Sequence, residues 1–192
     1  MTEEYKLALN FQPFPLLQTE RLILRKITMA DVEQIFFLRS DAAVLQYLHR
    51  APAKSADDAA VWINNLEGWE KSFSGITWGL CTKESNELIG TICFWNIQQE
   101  NLRAEIGYAL HPKQQGKGFM QEAMKTILVY GFRVMNFHSV EAHVYPQNLG
   151  SIKLLQKNGF VQEAYFKENI FFNGGFSDSV AYSLLRQNLS TT

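Results

Sequence analysis

The chain lacks several features that define common protein classes. It has only two cysteines, Cys81 and Cys93, in separate predicted strands, which indicates reduced thiols rather than a disulfide framework. No apolar run reaches the ~20 residues that a membrane-spanning helix needs. The first residues, Met1 to Glu4, are acidic and lack the basic and apolar regions of a signal peptide. These absences predict a cytoplasmic protein that does not associate with a membrane.

A strong charge of either sign is also missing. Lysine and arginine total 18 and aspartate and glutamate 19, so the formal net charge of −1 gives no basic field for nucleic acid or anionic lipid. The four histidines are scattered, and no Cys/His cluster has metal-ligand spacing, so no metal site is predicted. A chain of 192 residues without repeats is most simply one domain.

The apolar pattern predicts an α+β domain. Capping signals at Thr28 and Ser55 begin two helices, and polar turns divide a following β-rich region into an antiparallel meander. A helix, a strand, a second helix ended by Gly159 and a last hairpin follow. The predicted strands span residues 21–27, 76–82, 88–97, 102–110, 140–145, 160–172 and 176–186. The buried helix faces are predicted as Trp62, Leu66, Trp69 and Phe73, and as Met120, Met124, Ile127, Gly131 and Val134.

The most informative segment is residues 114–120, Gln-Gln-Gly-Lys-Gly-Phe-Met, which joins a predicted strand to a predicted helix. Gly116 and Gly118 permit a tight turn, and the helix behind them offers free N–H groups to an anion such as a phosphate. No Ser or Thr follows for a Walker loop, and Gln121 stands where a dinucleotide fingerprint needs its third glycine. The turn alone is therefore either an anion site or a plain strand–helix connection.

The surrounding motifs resemble the acetyl-CoA-binding core of the GNAT N-acetyltransferases, closest to the RimJ/RimL type that acetylates ribosomal-protein N-termini. The resemblance rests on Glu-Ile-Gly-Tyr at 105–108, Pro112, the Gly116 turn, Glu-Ala at 122–123, Val-Glu-Ala-His-Val at 140–144, Pro-Gln-Asn at 146–148, Ser151 and Asn-Gly-Phe at 158–160. It extends back to residues 19–25 and forward to Asp178 and residues 182–185. Residues 1–17, with Pro13 and Pro15, are predicted to form a loose N-terminal arm. The resemblance implies a GNAT domain over 18–187, followed by a C-terminal tail over 188–192. It also implies a mostly antiparallel twisted sheet, flanked by helices, in which a splayed parallel strand pair receives the cofactor.

The resemblance implies the following acetyl-CoA-binding residues: Leu110, Gln115, Gly116, Lys117, Gly118, Phe119, Met120, Asn148 and Ser151. The backbone amides of the turn would bind the pyrophosphate, while Lys117 either adds a charge or is only solvated. Asn148 would contact the pantetheine, and it also suits the N-cap of the following helix. The strand edge at 106–110 would pair with the pantetheine as an extra strand.

Three residues are the predicted catalytic candidates by the same resemblance. Glu105 would take the proton of the acceptor amine, directly or through water, unless it is a structural carboxylate. A backbone amide near Tyr108 would polarise the thioester carbonyl. Ser151, or a water molecule, would protonate the leaving thiolate, because Leu155 stands where many relatives have a tyrosine acid.

The acceptor is predicted to be a primary amine, most simply a protein N-terminal α-amine, that takes the acetyl group directly from acetyl-CoA. A route through an acetyl-cysteine is disfavoured, because neither Cys81 nor Cys93 falls at an active-site position of the family. A small amine, such as a polyamine or an antibiotic, and a non-catalytic acyl-CoA sensor stay as alternatives. Aromatic residues that could line the acceptor site, or else belong to the core, are Tyr47, Trp78, Phe94, Trp95 and Tyr145. Homodimers are common in the family, but no interface signature marks one here.

Overall fold

The chain folds around an eight-stranded sheet, which a computed structural model describes within residues 6–189. The strands are β1 (Leu17–Gln18), β2 (Leu22–Lys26), β3 (Ile76–Thr82), β4 (Leu88–Gln98), β5 (Arg103–Leu110), β6 (Ser139–Val144), β7 (Val161–Phe172) and β8 (Gly175–Leu185). The helices are α1 (Val32–Ser40), α2 (Ala42–Leu45), α3 (Ala56–Lys71), α4 (Phe119–Arg133) and α5 (Leu149–Lys157). The spatial order is β1-β2-β3-β4-β5-β6-β8-β7, and every neighbouring pair is antiparallel except β5 and β6. The predicted α+β fold and its antiparallel meander are confirmed.

The parallel pair separates soon after it forms. Strands β5 and β6 pair only from Arg103 to Glu105 on one side and from Ser139 to Glu141 on the other. Beyond Glu105, β5 continues to Leu110 beside β4, while β6 continues beside β8. The predicted splay is therefore present, and it leaves one edge of β5 without a strand partner over residues 106–110.

Helix α4 supplies the apolar face that closes the sheet. Its buried residues are Met120, Ala123, Met124, Ile127, Leu128, Gly131 and Phe132. This includes four of the five predicted positions, but Val134 lies past the helix end and is exposed. Gly131 is required because a Cβ there would come within 2.7 Å of the Phe94 ring. Close packing of α4 on β4 thus fixes the position of the glycine turn that precedes the helix.

Helix α3 buries a different face from the predicted one. Its buried residues are Ala59, Ile63, Leu66 and Glu70, so Leu66 is the one predicted position that is fully buried, whereas Trp62 and Phe73 are partly buried against the core. Trp69 is exposed, and Trp62 lies under the Arg39 guanidinium at 4.6 Å. Glu70 is buried and forms an ion pair with the half-exposed Lys26 at 3.3 Å. The prediction was wrong because it assumed that the large indole side chains face the core, whereas they lie along the side of the helix.

The N-terminal segment is packed rather than loose, which corrects the expectation of an arm over residues 1–17. From residue 6 onward, where the description begins, Leu7 and Phe11 are buried in the main core. The Trp78 indole donates a hydrogen bond to the Pro15 carbonyl at 2.8 Å. The two prolines suggested an irregular segment, and irregular backbone can still bury apolar side chains. At the other end, Leu189 also packs against the core.

Candidate active site

A cavity of about 410 Å³ opens where β5 and β6 separate. It is bounded by the end of β5, the glycine turn, the first turns of α4 and α5, and α2. Of the predicted cofactor residues, those that line it are Leu110, Gln115, Gly116, Gly118, Phe119, Met120, Asn148 and Ser151. Lys117 does not line it; the exposed ammonium donates instead to the Gln114 side chain at 2.9 Å. The sequence did not predict that α2 closes this cavity through Ala43 and Val44.

The glycine turn has the backbone that its sequence predicts. Gly116 and Gly118 have φ values of +74° and +82°, in the left-handed region that favours glycine. A Cβ on Gly116 would meet nothing within 4 Å, so the turn presents bare backbone to the cavity. Gly118 is the N-cap of α4, whose first amides have no partner within the helix. These donors and the helix dipole favour an anion at this end of the cavity.

A polar clamp holds this turn against β2. The Glu122 carboxylate accepts hydrogen bonds from the Arg21 backbone amide and guanidinium, each at 2.8 Å, and from the Thr19 hydroxyl. Arg21 also donates to the Lys117 carbonyl at 3.0 Å. These bonds hold the Glu122 pKa below its usual value although partial burial opposes this. The residues at 19–21 belonged to the family resemblance, and the structure shows what they contact.

A second cavity, of about 550 Å³, lies on the β6 and hairpin side of the same opening. It shares Tyr47, Leu48, Tyr108, Asn148 and Ser151 with the first cavity. Glu105 and Trp95 line only the second one. Two recesses that meet at a common wall can hold two reactants with their reacting groups in contact.

The common wall contains a direct contact between Tyr108 and Ser151. Their hydroxyl oxygens are 2.5 Å apart, and both side chains are largely buried. Burial raises the Tyr108 pKa to about 12, although the bond to Ser151 opposes the shift. Tyr108 is therefore protonated at neutral pH. From the sequence, only the backbone near Tyr108 was predicted to belong to the site. A strand pattern does not show which helix the side chain contacts, so the contact with Ser151 of α5 could not be predicted.

Asn148 positions Ser151 at the start of α5. Its side-chain oxygen accepts a hydrogen bond from the Ser151 amide at 3.1 Å, so the predicted N-cap is confirmed. Asn148 also lines both cavities, so the capping role does not remove it from the site. The cap fixes the first turn of α5 and thereby the direction of the Ser151 hydroxyl.

Glu105 lies where the parallel strands begin to separate. It is directly paired with Glu141 in the strand register. One carboxylate oxygen of Glu105, one of Glu141 and a ring nitrogen of His143 lie within 4.8 Å of one another. Burial raises the Glu105 pKa to about 7, the negative charge of Glu141 adds to the rise, and Arg103 opposes it. Arg103 also forms an ion pair with Glu141. Glu105 is thus a carboxyl group that changes protonation near neutral pH.

The aromatic residues predicted for the acceptor site divide into three groups. Tyr47 and Trp95 line the second cavity. Tyr145 lies behind the lining and stacks on His49 with ring centroids 4.0 Å apart. Trp78 and Phe94 are fully buried in the core and contact each other edge to face, so their proposed substrate contact is corrected. Strand β3 is buried on both faces, and alternation therefore could not separate its core residues from site residues.

Several polar residues of the second cavity were not predicted from the sequence. His49, His143, Asn169 and Ser179 line it. They come from a loop, from β6 and from the last hairpin, far apart in the sequence. Asp178, which belongs to the family resemblance, accepts hydrogen bonds from the Tyr165 hydroxyl and the Glu168 amide within the hairpin.

The donor set fits coenzyme A. Open glycine backbone and a helix N-terminus suit its pyrophosphate, and the free edge of β5 suits the amides of its pantetheine arm. A splayed parallel pair, a glycine turn before a helix and a second recess at the same wall together define an acyl-CoA-dependent transferase.

Comparison with known proteins agrees with this class. The acetyltransferase (GNAT) domain model matches residues 21–161. An uncharacterized N-acetyltransferase of Bacillus subtilis, YoaA, is 35% identical over 173 residues, which cover 90% of this chain and 98% of YoaA. The uS5-alanine N-acetyltransferase of Escherichia coli is 30% identical over 180 residues, covering 88% of this chain and 89% of that protein. The chain therefore belongs to the GNAT acetyltransferase family, and it is an N-acetyltransferase whose acetyl donor is acetyl-CoA.

A solved relative extends the comparison to structure. The spermidine N-acetyltransferase of Vibrio cholerae, in complex with CoA and spermine, superposes with a TM-score of 0.78 at 25% identity. The match covers 87% of this chain and 96% of that chain. Separately, within residues 6–189 no helix combines the length and apolar character needed to cross a membrane.

Proposed function

We propose that the protein transfers the acetyl group of acetyl-CoA to the N-terminal α-amine of a protein or peptide. The observation that carries the proposal is the charge of the acceptor cavity. Among the described residues that line this cavity, Glu105 is the only carboxylate, and the others are aromatic, apolar, neutral polar or histidine. The neighbouring Glu141 is paired with Arg103. One available carboxylate suits one ammonium group, whereas a polyamine presents several charges that call for several carboxylates.

The relative that acts on ribosomal protein uS5 alanine adds support from sequence. The spermidine-acetylating relative keeps small amines as the competing acceptor class. The cavity lining favours the first class, because a peptide N-terminus combines a single charge with neutral hydrogen-bonding groups.

Glu105 would act as the base. Acetyl-CoA supplies the activated acetyl group, but the acceptor amine must lose a proton before it can attack. A carboxylate with a pKa near 7 is a stronger proton acceptor than an ordinary glutamate and still ionises at neutral pH. Its position at the entrance of the splay brings it to the cavity that would hold the amine.

Ser151 and Tyr108 would return a proton to the leaving sulfur. Both hydroxyls face the shared wall, and Tyr108 can donate because its raised pKa keeps the phenol protonated. In the order we favour, Ser151 donates to the sulfur, Tyr108 donates to Ser151, and water in the open cavity restores the proton of Tyr108 before the next turnover. The free edge of β5 near Tyr108 would supply the amide that stabilises the oxyanion.

Mass spectrometry after incubation with acetyl-CoA tests this function. One set of acceptors contains peptides with varied first residues, and the other contains polyamines, aminoglycosides and simple amines. Acetylation at the peptide α-amine is expected. Acetylation confined to the polyamine set would overturn the proposal, and binding of CoA without any acetylation would favour the sensor alternative.

A further inference from the structure

Two residues that line the acceptor cavity each carry a buried polar atom without a hydrogen-bond partner among residues 6–189. The atoms are Ser179 Oγ and His49 Nε2. Ser179 is only 1% exposed, and both residues line the cavity that also contains Glu105. A buried hydroxyl or ring nitrogen without a partner is costly, and such groups are rare in folded proteins. Two of them in one recess indicate a ligand that completes their hydrogen bonds.

The surrounding structure holds these atoms in place. The His49 ring stacks on Tyr145, and the edge of Phe172 contacts it with centroids 6.0 Å apart. Burial lowers the His49 pKa, so the imidazole is neutral at neutral pH. Ser179 lies on β8, where it pairs with Phe166 of β7, and the next residue, Val180, pairs with Val144 of β6.

We infer that Ser179 and His49 form a subsite for the first peptide group of the acceptor, beside the amine that is acetylated. This inference rests on the proposed function and deepens it. A neutral imidazole has one donor and one acceptor nitrogen, and a serine hydroxyl can do both. A peptide group offers one carbonyl acceptor and one N–H donor, so it can satisfy both atoms. A polyamine has methylene groups next to its reacting amine and only N–H donors beyond them. It offers no acceptor, so the donor group of the His49 and Ser179 pair would stay without a partner.

The test compares three acceptors that differ only beyond the amine. They are a short peptide that begins with alanine, the same peptide with its first amide bond replaced by an ester, and isopropylamine, which has no carbonyl. The rate of CoA release gives kcat/KM for each. The wild-type protein is expected to prefer the peptide to the ester and the ester to the simple amine.

Ser179→Ala and His49→Phe remove one polar atom each, and phenylalanine keeps the stacking on Tyr145. Each change is expected to lower kcat/KM for the peptide about tenfold, mainly through KM, and to leave isopropylamine nearly unchanged. Ser177→Ala is the matched control, because Ser177 lies two residues earlier on β8 and lines neither cavity. An unchanged ratio of peptide to amine in both variants would overturn the subsite while leaving peptide acetylation intact.

Thermal unfolding without acceptor gives a second readout. Ser179→Ala removes a hydroxyl that has no partner, so the melting temperature is expected to stay equal or rise. A fall of several degrees would mean that a trapped water or another structural partner uses the hydroxyl, and the inference would be wrong. If the wild-type protein acetylates no peptide at all, the proposed function is wrong. This result is distinct from failure of the subsite alone, in which peptides are acetylated but the variants do not change the ratio of peptide to amine.

Discussion

The Tyr108 hydroxyl lies 2.5 Å from the Ser151 hydroxyl, where β5 meets the first turn of α5. The contact forms part of the wall that both cavities share. Leu155, four residues after Ser151 on the same helix, is fully buried in the core instead and is not among the residues that line the two cavities.

Tyr108→Phe is expected to lower kcat by about 10- to 100-fold, because the change removes the donor behind Ser151. The KM for acetyl-CoA should change little. Steady-state kinetics would measure both constants, with Tyr130→Phe as the control, since Tyr130 packs in the core beside Trp78. If Tyr108→Phe behaves like that control, the hydroxyl has no part in proton return.

Glu105→Gln is expected to lower kcat/KM by about 100-fold or more at neutral pH. Burial and Glu141 raise the Glu105 pKa to about 7, so the carboxyl is protonated below that pH and cannot accept a proton. Wild-type kcat/KM should therefore rise with pH through about 7, and the variant should lose this step. The same profile in both proteins would exclude Glu105 as the base, and CoA titration would show that the cofactor site is intact.

Glu141→Gln is expected to move the acidic limb of the pH profile to lower pH. The change removes a negative charge that raises the Glu105 pKa and frees Arg103, whose charge lowers it, so both effects have the same sign. Glu163→Gln neutralises an exposed glutamate that lines neither cavity and is the control. A shift to higher pH, or no shift, would contradict this account of Glu105.

Gly118→Ala is expected to weaken CoA binding and to cost about 1 kcal/mol of stability, because alanine disfavours a φ of +82°. An added Cβ would also come within 3.3 Å of the Arg21 guanidinium. Gly174→Ala is a matched control, since Gly174 has a φ of +79° and open space in the last hairpin. Calorimetric titration with CoA should show a loss for Gly118→Ala only, although both variants should melt earlier. Equal CoA affinity in the two would show that the turn does not bind the cofactor.

Replacement of both cysteines by alanine is expected to preserve turnover. Burial raises the Cys81 pKa to about 11 and the Cys93 pKa to about 12, so neither thiol is a nucleophilic thiolate at neutral pH. The double variant should therefore retain kcat, as measured by CoA release with circular dichroism to verify folding. Loss of activity in a folded double variant would favour a covalent acetyl-cysteine route over direct transfer.

Much of the fold could be predicted from the sequence because local signals were strong. Strand alternation, helix caps at Ser55 and Asn148, and paired glycines each act over a few residues, and the structure contains the elements that they predict. The glycine turn and the helix that follows it were likewise predicted from local signals, since positive φ values at paired glycines depend on local backbone shape. The buried face of α3 and the packed N-terminal segment were predicted wrongly, because burial depends on what lies opposite and not on the segment itself.

The sequence by itself therefore determined the α+β architecture, and its resemblance to the GNAT family gave acetyl-CoA as the donor and Glu105 as the candidate base. Only the tertiary structure decided which side chains meet. It brought Tyr108 to Ser151 and paired Glu105 with Glu141, across 43 and 36 residues of chain respectively. It also buried Ser179 and His49 in one recess and moved Trp78 into the core. The physical reason is that hydrogen bonds and pKa shifts depend on distances of a few ångströms, which strand register and helix packing set between distant parts of the chain.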